Sequence, residues 1–152
     1  MSSRKGNDMA LIQIYKGDPT AAGTDGTLVS SGDGTNPIES GSILVPETGF
    51  EEGDWVKLAV RCDTGYETEE ADSRHAQITI VDSASVTYWQ LAPDDNDSAG
   101  TPSDWGDPLD FASQVDDTNT IFWARARAAD SETPVNDTTV SITVSAVVAA
   151  SA

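Results

Sequence analysis

Two stretches late in the chain alternate in steps of two. Residues 120–128 (TIFWARARA) put Ile121, Trp123, Arg125 and Arg127 on one side, and Phe122, Ala124, Ala126 and Ala128 on the other. Residues 139–148 (TVSITVSAVV) set Val140, Ile142, Val144 and Ala146 against Ser141, Thr143 and Ser145. Residues 55–62 (WVKLAVRC) repeat the pattern, with Val56, Leu58 and Val60 against Trp55, Lys57, Ala59 and Arg61. A period of two belongs to a strand with one buried face, because successive side chains point to opposite faces of a sheet. No run of useful length keeps a helical period, so the chain is expected to be all-β with helix close to absent.

Further strands are expected at 11–15, 27–30, 43–45, 76–81, 85–91 and 109–111. The link Asp82-Ser83-Ala84 is short enough to join its two neighbours as a hairpin. Asp25-Gly26 and Asp33-Gly34 are turn signals, since Gly takes positive φ without strain and Asp bonds its own backbone. Residues 63–73 read as a polar surface connection, 93–107 as a long acidic loop, and 130–137 as a loop containing Pro134. About 7–8 short antiparallel strands at regular spacing argue for a sandwich or barrel. The expected fold is an immunoglobulin-like sandwich over 43–148, without the cysteine pair of antibody domains. The glycine- and threonine-rich run before it is expected to be an extended N-terminal arm. This divides the chain into an arm, 1–42, and a sandwich, 43–152, within one globular domain, which suits a length of 152 residues.

Charge narrows the partners. Eight Lys and Arg stand against 26 Asp and Glu, a formal net charge of -18. Nucleic acid and anionic membranes are disfavoured, because both need clustered cations. An acid excess of this size keeps a protein soluble, and it also suits high salt, where short screening lengths make a dense acidic surface tolerable. No stretch is apolar over the roughly 18 residues that a membrane span needs. The first residues, Met1 to Asp8, lack the apolar core of a secretory signal, so synthesis in the cytoplasm is expected.

Few residues offer chemistry. Cys62 is the one cysteine, and it reads as a small apolar strand residue. Asp94, Asp95 and Asp97 are the candidate metal ligands, because oxygen donors close in sequence suit calcium. The EF-hand template fails on them. Counted from Asp95, Ala99 takes a carboxylate slot and Gly106 the twelfth position; counted from Asp94, Ala99 stands where Gly is needed. A solvated acidic loop is the plainer reading. His75 follows Arg74 in a polar segment, no G-x-S-x-G elbow exists, and the glycine-rich run 17–34 lacks a G-K-[ST] ending. A small hydrolase is therefore the weakest reading, and no cofactor is implied. Arg125 and Arg127, beside Trp123, could face an acidic ligand, pair with acids across the sheet, or cover the indole with their stems. Trp55, Trp89, Trp105 and Trp123 suit packing, while Trp105 in its long loop is the one suspected of stacking a sugar. Arg4, Lys5, Tyr15 and Trp105 are the candidate partner contacts.

Three segments carry a resemblance: IYKGDPTAAGTDGTLVSSGDGTNPI (14–38), VKLAVRCDTGY (56–66) and NTIFWARARAADSETPVNDTTVSITV (119–144). Together they resemble small β-rich virion proteins encoded by tailed phages and prophages, over residues 10–148. The resemblance implies a structural role without catalytic residues: a decoration or accessory protein on a capsid, or a tail component. It also implies a virion location, with the major capsid protein and sister subunits as partners, and trimers would fit a capsid three-fold axis. The acidity departs from ordinary members and points to a halophilic host. The alternative class is a surface binding module, either an adhesin or a carbohydrate-binding domain.

Overall fold

The computed structural model describes residues 11–29, 43–44, 46–81, 88–130 and 141–151. The described residues are built on antiparallel strands, with no α-helix among them. The strands are β1 (Ile12–Lys16), β2 (Thr27–Leu28), β3 (Phe50–Glu52), β4 (Val56–Cys62), β5 (Tyr66–Glu69), β6 (Ala76–Val81), β7 (Trp89–Pro93), β8 (Leu109–Phe111), β9 (Thr120–Ala129), β10 (Ser141–Ser145) and β11 (Val147–Ala150).

The longest strand, β9, organises the main sheet. It pairs with β4, β3 and β7, and the sheet continues from β4 through β1 to β2. Val56 faces Ala124 and Glu52 faces Arg127, so residues 53–55 stand opposite only 125 and 126. The extra residue is a β-bulge, which bends β3 away from the line of β4 while both stay on one edge of β9. The Gly53 amide holds that edge with a 2.7 Å bond to the Ala126 carbonyl. A second sheet runs β10-β6-β8, and β11 pairs with β5.

The alternation read from the sequence sorts the faces of the main sheet. Leu58, Val60 and Phe122 are fully buried, and they pack with Ile12, Ile14 and Leu91 on its inner face. Ile78, Ile80, Phe111 and Ile142 meet them from the second sheet in the same core. Phe111 and Phe122 bridge the layers edge to face, with ring centroids 6.1 Å apart. Burying side chains of this size contributes about 1.5–3 kcal/mol each.

The structure corrects several sequence expectations. β6 and β7 are not a hairpin: β6 pairs with β8 and β10, and β7 with β9. A short link brings two strands close, but here the chain changes sheets across it. Tyr66–Glu69 is a strand inside what reads as a surface connection. Ile43 and Leu44 lie outside any strand. The final long strand is divided, because its partner changes at Ala146 from β6 to β5. Residues 11–29, read as part of the arm, contribute strands to the main sheet. β1 is paired on both edges, and Ile12, Ile14 and Val29 belong to the core. Gly26 explains part of this fit: its φ is +119°, and a Cβ there would stand 2.9 Å from that of Tyr15. Residues 1–10, which include Arg4 and Lys5, and the Asp33-Gly34 turn lie outside the described residues.

Candidate functional site

The outer face of the main sheet gathers unusual chemistry for an acidic protein. Lys57, Arg61, Arg125 and Arg127 all project there, half of the eight basic residues in the chain. Beneath and between them lie small apolar side chains: Ala59 and Ala92 are fully buried, and Ile121 is 5 % exposed.

Around the bulge, cations and rings alternate. The Arg127 guanidinium lies 3.7 Å from the centroid of Phe50 and 4.3 Å from that of Trp105. The Arg125 guanidinium lies 5.4 Å from Trp105 and 4.5 Å from Trp55. The order Phe50, Arg127, Trp105, Arg125, Trp55 forms a cation–π ladder with Trp105 at its centre. Arg125 is also fixed laterally, donating to Gln90 Oε1 at 2.8 Å and pairing with Glu52 at 3.3 Å. The cross-strand acid expected for Arg125 is thus Glu52. The arginine heads stack on Trp55, Trp105 and Phe50.

Acidic loops close over the rest of this face. Lys57 pairs with Asp97 at 2.6 Å and with Asp18 at 3.4 Å. The Trp123 indole donates to Asp94 Oδ1 at 2.9 Å. Arg61 lies 3.7 Å above the Tyr15 ring and donates to the Asp25 carbonyl and to Asn119 Oδ1. The Asn119 amide in turn donates to the Thr20 carbonyl and to Asp25. Bonds from the Thr20 amide and hydroxyl hold Asp25 below the usual carboxylate range. The bond from Asp97 raises Lys57 above the usual ammonium value.

The candidate metal ligands therefore serve as anchors. Asp94 takes the indole and Asp97 the ammonium, while exposed Asp95 closes a tight turn through its amide to the Ser98 carbonyl. Asn96 and Asp97 have φ of 57° and 67°, the signature of a two-residue type I′ hairpin turn. The chain then returns along β7. Gly100, Ser103 and Gly106 donate to the carbonyls of Pro93, Leu91 and Trp89. The loop expected to be solvated is a pinned edge, and it delivers Trp105 to the ladder.

Cys62 and His75 lie away from this face. Cys62 is buried and donates to the Val115 carbonyl. Burial, reinforced by Asp116, Asp117, Asp63 and Glu67, pushes its thiol up to about 11, so it stays protonated at neutral pH. His75 Nδ1 lies 3.2 Å from the hydroxyl of Thr68, which is fully buried and already accepts the Val115 amide. Which of the two donates follows from the ring's tautomer. A shallow depression of about 230 Å³ beside His75 also touches Asp72, Arg74 and Ser145.

Tyr15 and Trp105 are the partner candidates that this face contains. Phe50, Glu52, Gln90 and Asn119 were missed as members of this site. Comparison with family models, curated proteins and solved structures finds no match.

Proposed function

We propose that this chain is a structural protein of a tailed virus particle, a decoration protein bound to the outer capsid surface. A tail component of the same particle is the nearest variant. In this reading the fold is an immunoglobulin-like sandwich, the partners are the major capsid protein and sister subunits, and the trimer suits a three-fold axis. The acid excess adapts the particle to a salt-rich host.

The observation that supports a contact protein is the disposition of the outer face. Its polar groups brace the protein's own loops, and Phe50, 49 % exposed, stands among them, while elsewhere Leu44 is 83 % exposed. Exposed apolar groups beside rigid aromatic–arginine packing suit a protein surface better than a reaction. The choice of a virion partner rests on the resemblance of 14–38, 56–66 and 119–144. A sugar platform needs a free aromatic face, and Trp105 already carries two guanidinium groups.

The test is quantitative mass spectrometry of purified particles that encode this chain. Copies near those of the major capsid protein support decoration, and a few dozen at most move the chain to the tail. Absence from particles rejects the virion reading, and a saturable change of tryptophan fluorescence on sugar titration would then favour a binding module. The salt adaptation predicts a higher melting temperature in molar salt than in dilute buffer, and equal values would sink it.

A further inference from the structure

We propose that β10 is an interface between copies of this chain, with two copies pairing edge to edge and antiparallel along Ser141–Ser145. The inference goes beyond the virion reading, and it stands or falls separately from it. It also supplies a two-fold contact, distinct from any three-fold arrangement on a capsid.

β10 ends its sheet: among the described residues it pairs only with β6. Every second N–H and C=O along such a strand points away from its neighbour, and an edge of this kind templates another strand. Proteins of this size normally protect edges with charge, short length, or a covering segment. Several other edges are protected in those ways, while the four-residue β11, which pairs only with β5, continues the uncharged run of β10. β8 carries Asp110, β5 carries Glu67 and Glu69, β2 has only two residues, and the segment 98–106 covers β7. Among the described residues, β10 has neither charge nor a covering segment. Residues 138–152 contain no Asp, Glu, Lys, Arg or His, in a chain whose net charge is -18.

Charge selects the occupant. Two copies of so acidic a protein repel across most of their surfaces. An uncharged strand lets them meet without opposed carboxylates. A strand edge also complements itself when turned antiparallel, which gives the closed two-fold contact of an isologous dimer. On the solvent side, exposed Thr143 meets its own copy as a small polar cross-strand pair, and Val147, 49 % exposed, extends the apolar contact beyond it.

Sedimentation velocity over a protein concentration series, at low and molar NaCl, tests the pairing. The expected result is a dimer that tightens as salt rises, because screening removes repulsion. Thr143→Lys places like charges in the pairing and should weaken the dimer about tenfold or more, with the thermal melt of the monomer unchanged. Should that variant fail to fold, Thr143→Cys decides: pairing along Ser141–Ser145 sets Thr143 opposite its own copy, so oxidation should give disulfide-linked dimers, and Cys62, 2 % exposed, cannot cross-link. A monomer at every concentration overturns the proposal. So does a dimer that Thr143→Lys leaves intact, one that dissociates as salt rises, or a Thr143→Cys protein that stays unlinked.

Discussion

The two faces of the main sheet are buried by different means. Inside, Leu58, Val60, Leu91 and Phe122 lie against the second sheet, and each is fully removed from water. Outside, alanines and Ile121 lie under long polar side chains, and these are held by Glu52, Asp18, Asp94, Asp97 and Asn119. The inner face needs area and shape. The outer face needs each donor to find an acceptor, because a cation over a buried layer is tolerable only when paired or stacked. An inner substitution should therefore lower the stability of the whole domain, while an outer one should release a particular loop.

Phe122→Ala should have the largest effect. It removes a ring from the centre of the core and should cost about 3–5 kcal/mol, read as a lower denaturant midpoint. The loss should be similar at low and high salt, since no charge is involved. A loss below about 1 kcal/mol would mean that the layers are not packed through this ring.

Asn119→Ala comes next. Asn119 is 5 % exposed, and its amide links the Thr20 and Asp25 carbonyls to Arg61. Its loss strands buried partners and should cost about 1–3 kcal/mol. Amide exchange should rise first in 17–29, with the β4 and β9 amides unaffected. Equal opening of both regions would erase the distinction between the faces.

Trp105→Ala should cost less, about 1–2 kcal/mol, because the ladder is half-exposed. Limited proteolysis should then cut within 94–107. Continued resistance there would show that the backbone bonds to β7 hold the segment unaided.

The same contrast governs what the sequence revealed. The inner face was readable: Val56, Leu58, Val60, Phe122 and Ala124 follow a period of two, and one set of alternate residues is apolar because water is excluded on one side. The outer set was visible as Lys57, Arg61, Trp123, Arg125 and Arg127, but its partners were not. Glu52, Gln90, Asp97 and Asn119 lie far off in sequence, and only the sheet register brings them near. Local turn chemistry misled as well. The turns at Asp72-Ser73 and Asn96-Asp97 have positive φ at both residues yet lack the glycine that announces such turns. Tyr66–Glu69 escaped because two of its four residues are glutamates, although buried Thr68 anchors it. The pairing of β6 with β8 rather than β7 depends on sheet exchange, which no link length records.

The smallest effect should come from acid. Asp25 is held below its ordinary value by bonds from Thr20, and Asp116 by bonds from Thr118. A carboxylate with a lower value when folded stabilises the fold above its unfolded value, here 3.8, and that contribution disappears as pH falls through the folded one. Cys62 behaves in the opposite sense. Raised to about 11, it stabilises fully below its ordinary 9.0 and loses that contribution as pH climbs between the two. Lys57 is raised too, so its part also fades only in alkali, above about 10.5. Acid should therefore loosen the outer face while the inner core stays intact. Pepsin at decreasing pH below 4 should cut within 17–29 before the tryptophan fluorescence of the core changes. Simultaneous cutting and core collapse would mean that the Asp25 bonds do not hold the loop independently, and that both faces melt as one unit.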